Sequence, residues 1–214
     1  MRYTTAHKII LAIFLSIALL PLTAYAQAPT AKTFLEIGII NSSNAEYSEA
    51  IDDFKRAIEL KPDYAEAYYQ LGRAYFSLHR YDEAHSAFTN AAKHDPKLAD
   101  AHFSLAVVSY MLGDDSGSIS ALKKTLKVDP KHLNAYMKLG NIYLELEEYQ
   151  DAADTFDKAL KIKSKNAEAR YNLGVAYLGL SKKYMAAARK QQSALKNLDK
   201  DFAADLASKI RNAK

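Results

Sequence analysis

Apolar residues recur along the chain at steps of three and four. Between Ala65 and Leu98, Tyr68, Leu71, Tyr75 and Leu78 share one helical face, and Tyr81, Ala84, Phe88, Ala91 and Ala92 share another. Ser77-Leu78-His79-Arg80 is a short connection that turns the second helix back antiparallel to the first. Pro96 ends the pair, because proline cannot continue a helix and biases the residue before it out of helical geometry. The pattern then recurs with a period of 34 residues. Pro62, Pro96 and Pro130 form one row, Gly38, Gly72, Ala106, Gly140 and Gly174 a second, and Ile37, Leu71, Leu105, Leu139 and Leu173 a third. Phe54, Phe88, Leu122 and Phe156 form a fourth, with alanine rows at Ala50, Ala84, Ser118, Ala152 and at Ala57, Ala91, Thr125, Ala159. A period of this length predicts an all-α solenoid, in which each helix pair buries its apolar face only by stacking on a neighbour.

The rows resemble the tetratricopeptide repeat. In the best copy the matching residues are Tyr68, Leu71, Gly72, Tyr75, Ala84, Phe88, Ala91 and Pro96. The resemblance implies a right-handed superhelix of antiparallel helix pairs whose first helices line a concave face. It implies a scaffold for partner proteins and no chemistry, since one fold of this kind hosts many functions. Five units are expected, at about 31–64, 65–98, 99–132, 133–166 and 167–200. A capping helix is expected at about 201–212, where Phe202, Leu206 and Ile210 lie four apart.

The units are not equal. In the first, Asn41 stands where a tyrosine stands in the second, fourth and fifth, and Asn41-Ser42-Ser43-Asn44 is expected to weaken the end of that helix. The third reads as the weakest. Ser118 and Thr125 replace two helix-packing alanines, and Gly113 and Gly117 are poor helix formers, at about 1 kcal/mol each against alanine. In the fifth, one extra residue shifts Tyr184, and Gln191 interrupts the aromatic row.

Composition narrows the function. With no cysteine among 214 residues, the chain has no disulfide, thiol nucleophile or thiolate metal site. The six histidines include no helical i, i+4 pair, and no His-Glu-x-x-His, phosphate-binding glycine loop or Gly-x-Ser-x-Gly is present. No enzyme, cofactor or metal site is expected. Residues 1–26 read as an export signal: Arg2 and Lys8 precede the apolar run Ile9–Leu20, and Ala24-Tyr25-Ala26 is a small-x-small cleavage motif. Its removal takes Arg2 and Lys8 with it and lowers the formal charge from +4 to +2. The expected destination is a periplasm or the exterior, with no membrane span after cleavage.

The exposed side of the first helices is the candidate partner site. Phase places Leu35 and Ile39, then Tyr69, Arg73 and Phe76, then Phe103, Val107, Tyr110 and Met111 there, followed by Met137, Asn141 and Leu144, and by Tyr171, Val175 and Leu178. An apolar stripe of this length suits a peptide partner, and methionine suits an adaptable groove. Among exported proteins of this resemblance, roles in envelope assembly or secretion recur, and the expected function is a scaffold of that kind. A second candidate lies in the C-terminal part, which carries nine basic and three acidic residues from Lys182 to Lys214. There Lys182, Lys183, Arg189, Lys190 and Lys196 offer a surface for an anionic glycan or lipid, in the manner of an accessory to polymer export. Aromatics are not interleaved with these bases, so nucleic acid is not an expected partner. Mature protein recovered from an exporting host should give Gln27 as its first residue on N-terminal sequencing. Retention of Met1 in a membrane fraction would replace export with anchoring.

Overall fold

A computed structural model describes residues 29–180 and 184–212. The expected export segment lies outside the described residues, as do Lys182 and Lys183. Eleven helices follow one another among the described residues. They are α1 (Ala31–Ser43), α2 (Tyr47–Leu60), α3 (Ala65–Ser77), α4 (Tyr81–His94), α5 (Ala99–Met111), α6 (Asp115–Val128), α7 (Leu133–Glu145), α8 (Tyr149–Ile162), α9 (Ala167–Leu180), α10 (Met185–Leu195) and α11 (Lys200–Asn212). Each helix packs on the next, so the chain is an all-α solenoid. Odd-numbered helices of neighbouring units also touch, as α1 does α3 and α7 does α9. No described helix is long and apolar enough to cross a membrane.

One contact sets the spacing within each unit. A Cβ placed on Gly38 would sit 2.6 Å from the ring of Phe54; one on Gly72 would be 2.7 Å from Phe88, and one on Gly140 2.6 Å from Phe156. The rings are buried against bare backbone. The third unit carries Ala106 where the others have glycine, and its partner is the smaller Leu122, with both fully buried. The fifth unit solves the problem differently. Gly174 faces Leu206 of α11, at 2.5 Å from its would-be Cβ, so the capping helix supplies the side chain that Gln191 does not.

Two expectations about weak units change. Ile39, Asn41 and Ser43 sit inside α1, which is as long as α3, because Asn41 Nδ2 donates to Asp53 at 2.7 Å and Ser43 Oγ to the Ile39 carbonyl at 2.9 Å. The third unit is not poorly made. Gly113 lies beyond the end of α5 at φ +80°, the left-handed seat that Ala45, His79 and Glu147 occupy with side chains in the other units. Glycine adopts that backbone freely. Gly117 lets its N–H reach the Asp114 carboxylate at 2.8 Å, and that cap, with Ser116, holds the Asp114 carboxyl below its usual range. Ser118 and Thr125 donate to the Ala106 and Ala121 carbonyls at 2.8 and 3.0 Å, so neither buried hydroxyl is orphaned.

The glycine–phenylalanine contact makes a clear test. Gly72→Ala should lower stability by about 1–3 kcal/mol through overpacking, and Phe88→Leu should cost a similar amount through lost burial. The double variant copies Ala106 and Leu122, so urea melts should show it less destabilised than the sum of the two by about 1 kcal/mol or more. Simple additivity would show that the contact does not set the spacing.

Candidate functional site

The inner side of α3 and α5 forms the best-defined recess of the candidate face. It has a volume of about 340 Å³ and is lined by Tyr69, Arg73, Phe76, Ser77, Phe88, Phe103, Ser104 and Val107. Helical phase puts Tyr69, Arg73 and Phe76 on one line of α3, and Phe103 and Val107 on the facing line of α5. Each ring is braced. Tyr69 packs tilted on Phe88 with centroids 5.9 Å apart, Phe76 on Tyr81 at 5.6 Å, and Phe103 on His132 at 4.7 Å. His132 Nδ1 meanwhile accepts from the Ala135 N–H at 3.1 Å, which fixes the imidazole under Phe103. Burial, and secondarily the Asp100 carboxylate, push the Tyr69 phenol up.

Arg73 and Ser77 form a wall shared with a second recess of about 200 Å³, whose other lining includes Ile39, Ser42, Ser43 and Gln70. The Arg73 guanidinium donates to Gln70 Oε1 at 3.0 Å and lies 5.9 Å from the centre of the Tyr69 ring. Among the described residues it makes no ion pair within 4 Å. An apolar hollow therefore adjoins a polar one, with a cation between them.

Other residues of the expected stripe are placed differently. Tyr110 stands at the rim: its hydroxyl donates to Glu145 at 2.8 Å, which raises the phenol, and Lys138 lies 4.5 Å from its ring centre. Met111 is exposed beside it. Met137 is a correction, since it is buried in the central core cluster. Phase sets the direction of a Cβ, while an unbranched thioether folds down into a gap where the stiff rings of Tyr69 and Phe103 stand up. Leu35 is likewise buried, and Leu144 packs against the core. Asn141 accepts from Asn172 at 2.8 Å, which ties α7 to α9.

The end of the stripe is covered. Tyr171 stacks on Phe202 of α11 at 4.9 Å, and its hydroxyl donates to Asp205. Val175 and Leu178 pack in the same cluster as Phe202 and Leu206. Tyr171 and Val175 therefore serve α11, and the groove expected from phase is closed there by the chain itself. Of the basic candidates, Arg189, Lys190 and Lys196 are exposed on or just after α10. Among the described residues, no group of three acidic or histidine side chains is placed to hold a metal ion.

Sequence reasoning overlooked Phe88, which floors the recess from the second helix. Its signal is present in the rows: Gly72 precedes Phe88 by sixteen residues, as Gly38 precedes Phe54 and Gly140 precedes Phe156. A bare glycine on the first helix is what lets that ring come close.

The family models described as TPR repeat and tetratricopeptide repeat match residues 45–79 and 140–181, and residues 69–124, respectively. The chain belongs to the tetratricopeptide repeat proteins, whose repeats are scaffolds for protein–protein interaction. No curated protein matches it. Among solved structures it is similar to MamA protein, at 22% identity and a TM-score of 0.69 over 81% of this chain and 97% of that one. It is similar to YrrB, a TPR protein with an unusual peptide-binding site, at 21% identity and a TM-score of 0.74 over 86% and 94%. A thermophilic TPR protein of Thermus thermophilus, TTC0263, gives 23% identity and a TM-score of 0.51 over 85% and 99%. At these identities the likeness is one of fold.

The docking of α11 carries a pH signature. Burial, and then the hydrogen bond to Asp205, push the Tyr171 phenol up to about 12, from an ordinary value of ~10. The folded state thus favours the neutral phenol. Its contribution is complete below about pH 10 and is lost as the pH rises towards 12. Tyr171→Phe cannot ionise, so the fall in melting temperature between about pH 9.5 and 11.5 should be smaller than in the parent. Equal falls would mean that Tyr171 does not hold the cap.

Proposed function

We propose that the recess between α3 and α5 receives one bulky apolar side chain of a partner polypeptide, bound as an extended or helical segment along the inner face. The observation that carries this reading is the recess itself, whose rings are held by Phe88, Tyr81 and His132 before any partner arrives. A preformed apolar hollow saves the cost of ordering side chains on binding. The adjoining polar recess and Arg73 favour a polar or acidic residue next to the anchor. The fold neighbour YrrB has a peptide-binding site in its own right, which supports a peptide ligand for this shape. The recess belongs to the second and third units, so the covered end near Tyr171, in the fifth, takes no part.

The chain is further proposed to work after export, as a scaffold in cell-envelope assembly or secretion. The motive is the arrangement of Arg2, Lys8, Ile9–Leu20 and Ala24-Tyr25-Ala26.

Peptides selected on the intact chain from a displayed random library should share one large apolar residue with an acidic or polar neighbour. Central interface aromatics carry about 2 kcal/mol or more. Phe103→Ala should therefore weaken the selected peptide about thirtyfold, with circular dichroism nearly unchanged. Tyr110→Ala, at the rim, should cost much less. Affinity should change little with added salt, because Arg73 is the single charged residue in the lining of the hollow. Steep loss with salt, combined with normal binding by Phe103→Ala, would move the site to the basic surface of Arg189, Lys190 and Lys196 and point to an anionic partner.

A further inference from the structure

A second recess borders α5 on another of its sides. It lies against the ends of α4 and α6 and has a volume of about 600 Å³. Its apolar lining is Ala92, Pro96 and Val128, and its charged lining is Lys97, Lys124 and Lys127, with His102 among them and no carboxylate. None of these residues lines the hollow between α3 and α5. His102 and Phe103 are neighbours in α5 but point about 100° apart around the helix, so each serves a different recess. His102 is buried, and its Nε2 donates to the Pro96 carbonyl at 3.1 Å. That bond pins the loop just ahead of Lys97, whose own N–H donates to Asp95 Oδ1 at 2.9 Å.

Exposed lysines are ordinary on a protein surface. The unusual feature is that these have no balancing acid. One unit further on, the equivalent recess of about 400 Å³ has Tyr136 and Lys158 at the positions of His102 and Lys124. Asp151 and Asp154 share the lining of that recess with its lysines, and Lys123 lies 5.8 Å from the Tyr143 ring centre. In the third unit Gly117 and Ser120 stand at the two aspartate positions. Among the described residues Lys97, Lys124 and Lys127 make no ion pair within 4 Å. Asp95 and Asp129, on the flanking turns, lie outside the lining and accept the backbone N–H groups of Lys97 and Lys131 at 2.9 Å. Lys124 and Lys127 are one turn apart on α6, where like charges repel. An anionic partner set among them relieves that repulsion.

We infer that this recess is a second docking site, for an acidic segment of a partner polypeptide. An apolar side chain of the segment rests on Ala92, Pro96 and Val128, and its carboxylates meet Lys97, Lys124 and Lys127. The volume falls within the range of about 300–1,000 Å³ that encloses a ligand of several groups, and a single small ion would leave most of it unfilled. Three separate ammonium groups call for several carboxylates, and the apolar lining calls for carbon between them. A short acidic peptide supplies both. The site stands apart from the hollow between α3 and α5 and does not depend on it, so one chain can hold two segments at once.

The probe is a fluorescein-labelled peptide of glutamates around one leucine, titrated with the whole chain and read by fluorescence anisotropy. It should bind, and added salt should weaken it severalfold. Lys97→Gln, Lys124→Gln and Lys127→Gln together should weaken it about tenfold or more. All three side chains are exposed, so circular dichroism should not change. Arg189→Gln, Lys190→Gln and Lys196→Gln together remove the same charge elsewhere and should change affinity little, as should Phe103→Ala. Ser120→Asp, which copies Asp154 into the third unit, should weaken the peptide severalfold. Equal losses from the two triple variants would show that the peptide reads only net charge. Loss with Phe103→Ala would put the peptide in the hollow between α3 and α5. Either result overturns the inference, and so does a parent chain that does not bind. Displacement of the peptide by inorganic phosphate at matched ionic strength would make this a free-anion site. Binding of phosphatidylglycerol vesicles, lost in the lysine triple variant, without binding of the peptide would make it a lipid surface. Each of these also overturns a peptide site.

Discussion

The structure depends on the approach of a helix backbone to a buried ring. Gly38, Gly72 and Gly140 leave no room for a Cβ between themselves and Phe54, Phe88 and Phe156. Each ring fills the hollow that its glycine leaves, and the distance between the two helices of the unit follows from that fit. Protein interiors tolerate neither voids nor overlap at this scale. The pair is thus adjusted jointly, as Ala106 with Leu122 shows, where one added carbon on one helix goes with a smaller group on the other. The fifth unit keeps its glycine and has no phenylalanine in its second helix. Leu206 of α11 takes the place, and from that one substitution follow the docking of the cap and the closure of the groove at Tyr171.

The candidate recess grows from the same contact. Because Gly72 admits Phe88, the ring reaches through to the inner face and makes a floor between Tyr69 and Phe103. The walls come from two successive units, so the hollow exists only when those units are stacked. Stability and binding are here the product of one geometry: rows of small residues bring helices together, and the large residues displaced to the surface line the crevice. Arg73 then stands as a cation between an apolar and a polar hollow, held along the wall by Gln70 rather than by a carboxylate. The ion pairs among the described residues are exposed and local in sequence, and contribute little to the fold.

The ends matter as much as the middle. A solenoid has two surfaces that its own repeats cannot cover. This chain covers one with α11, whose polar outer face meets water. At the other end of the described residues stands α1, a helix otherwise like its neighbours, in which Ile37 and Ile40 are exposed.

Much of this was legible from the residues alone. The 34-residue rows determine the helices, their antiparallel pairing and the solenoid, because those rest on local periodicity and on repetition of the same contacts. The same rows mark Tyr69, Arg73, Phe76, Phe103 and Val107 as one face. What periodicity cannot supply is distance. Whether a side chain at the right phase stands up, as Phe103 does, or folds into the core, as Met137 does, depends on the gap left by the neighbouring helix. Whether Tyr171 and Val175 meet a partner or the chain's own cap depends on where α11 lands, and that was decided by Leu206 finding the space above Gly174. Likewise Gly113, Gly117, Ser118 and Thr125 look like flaws to a propensity scale. They become a turn, a cap and two satisfied hydroxyls only when the backbone around them is in place, since hydrogen bonds and left-handed seats are properties of the folded geometry and not of residue type.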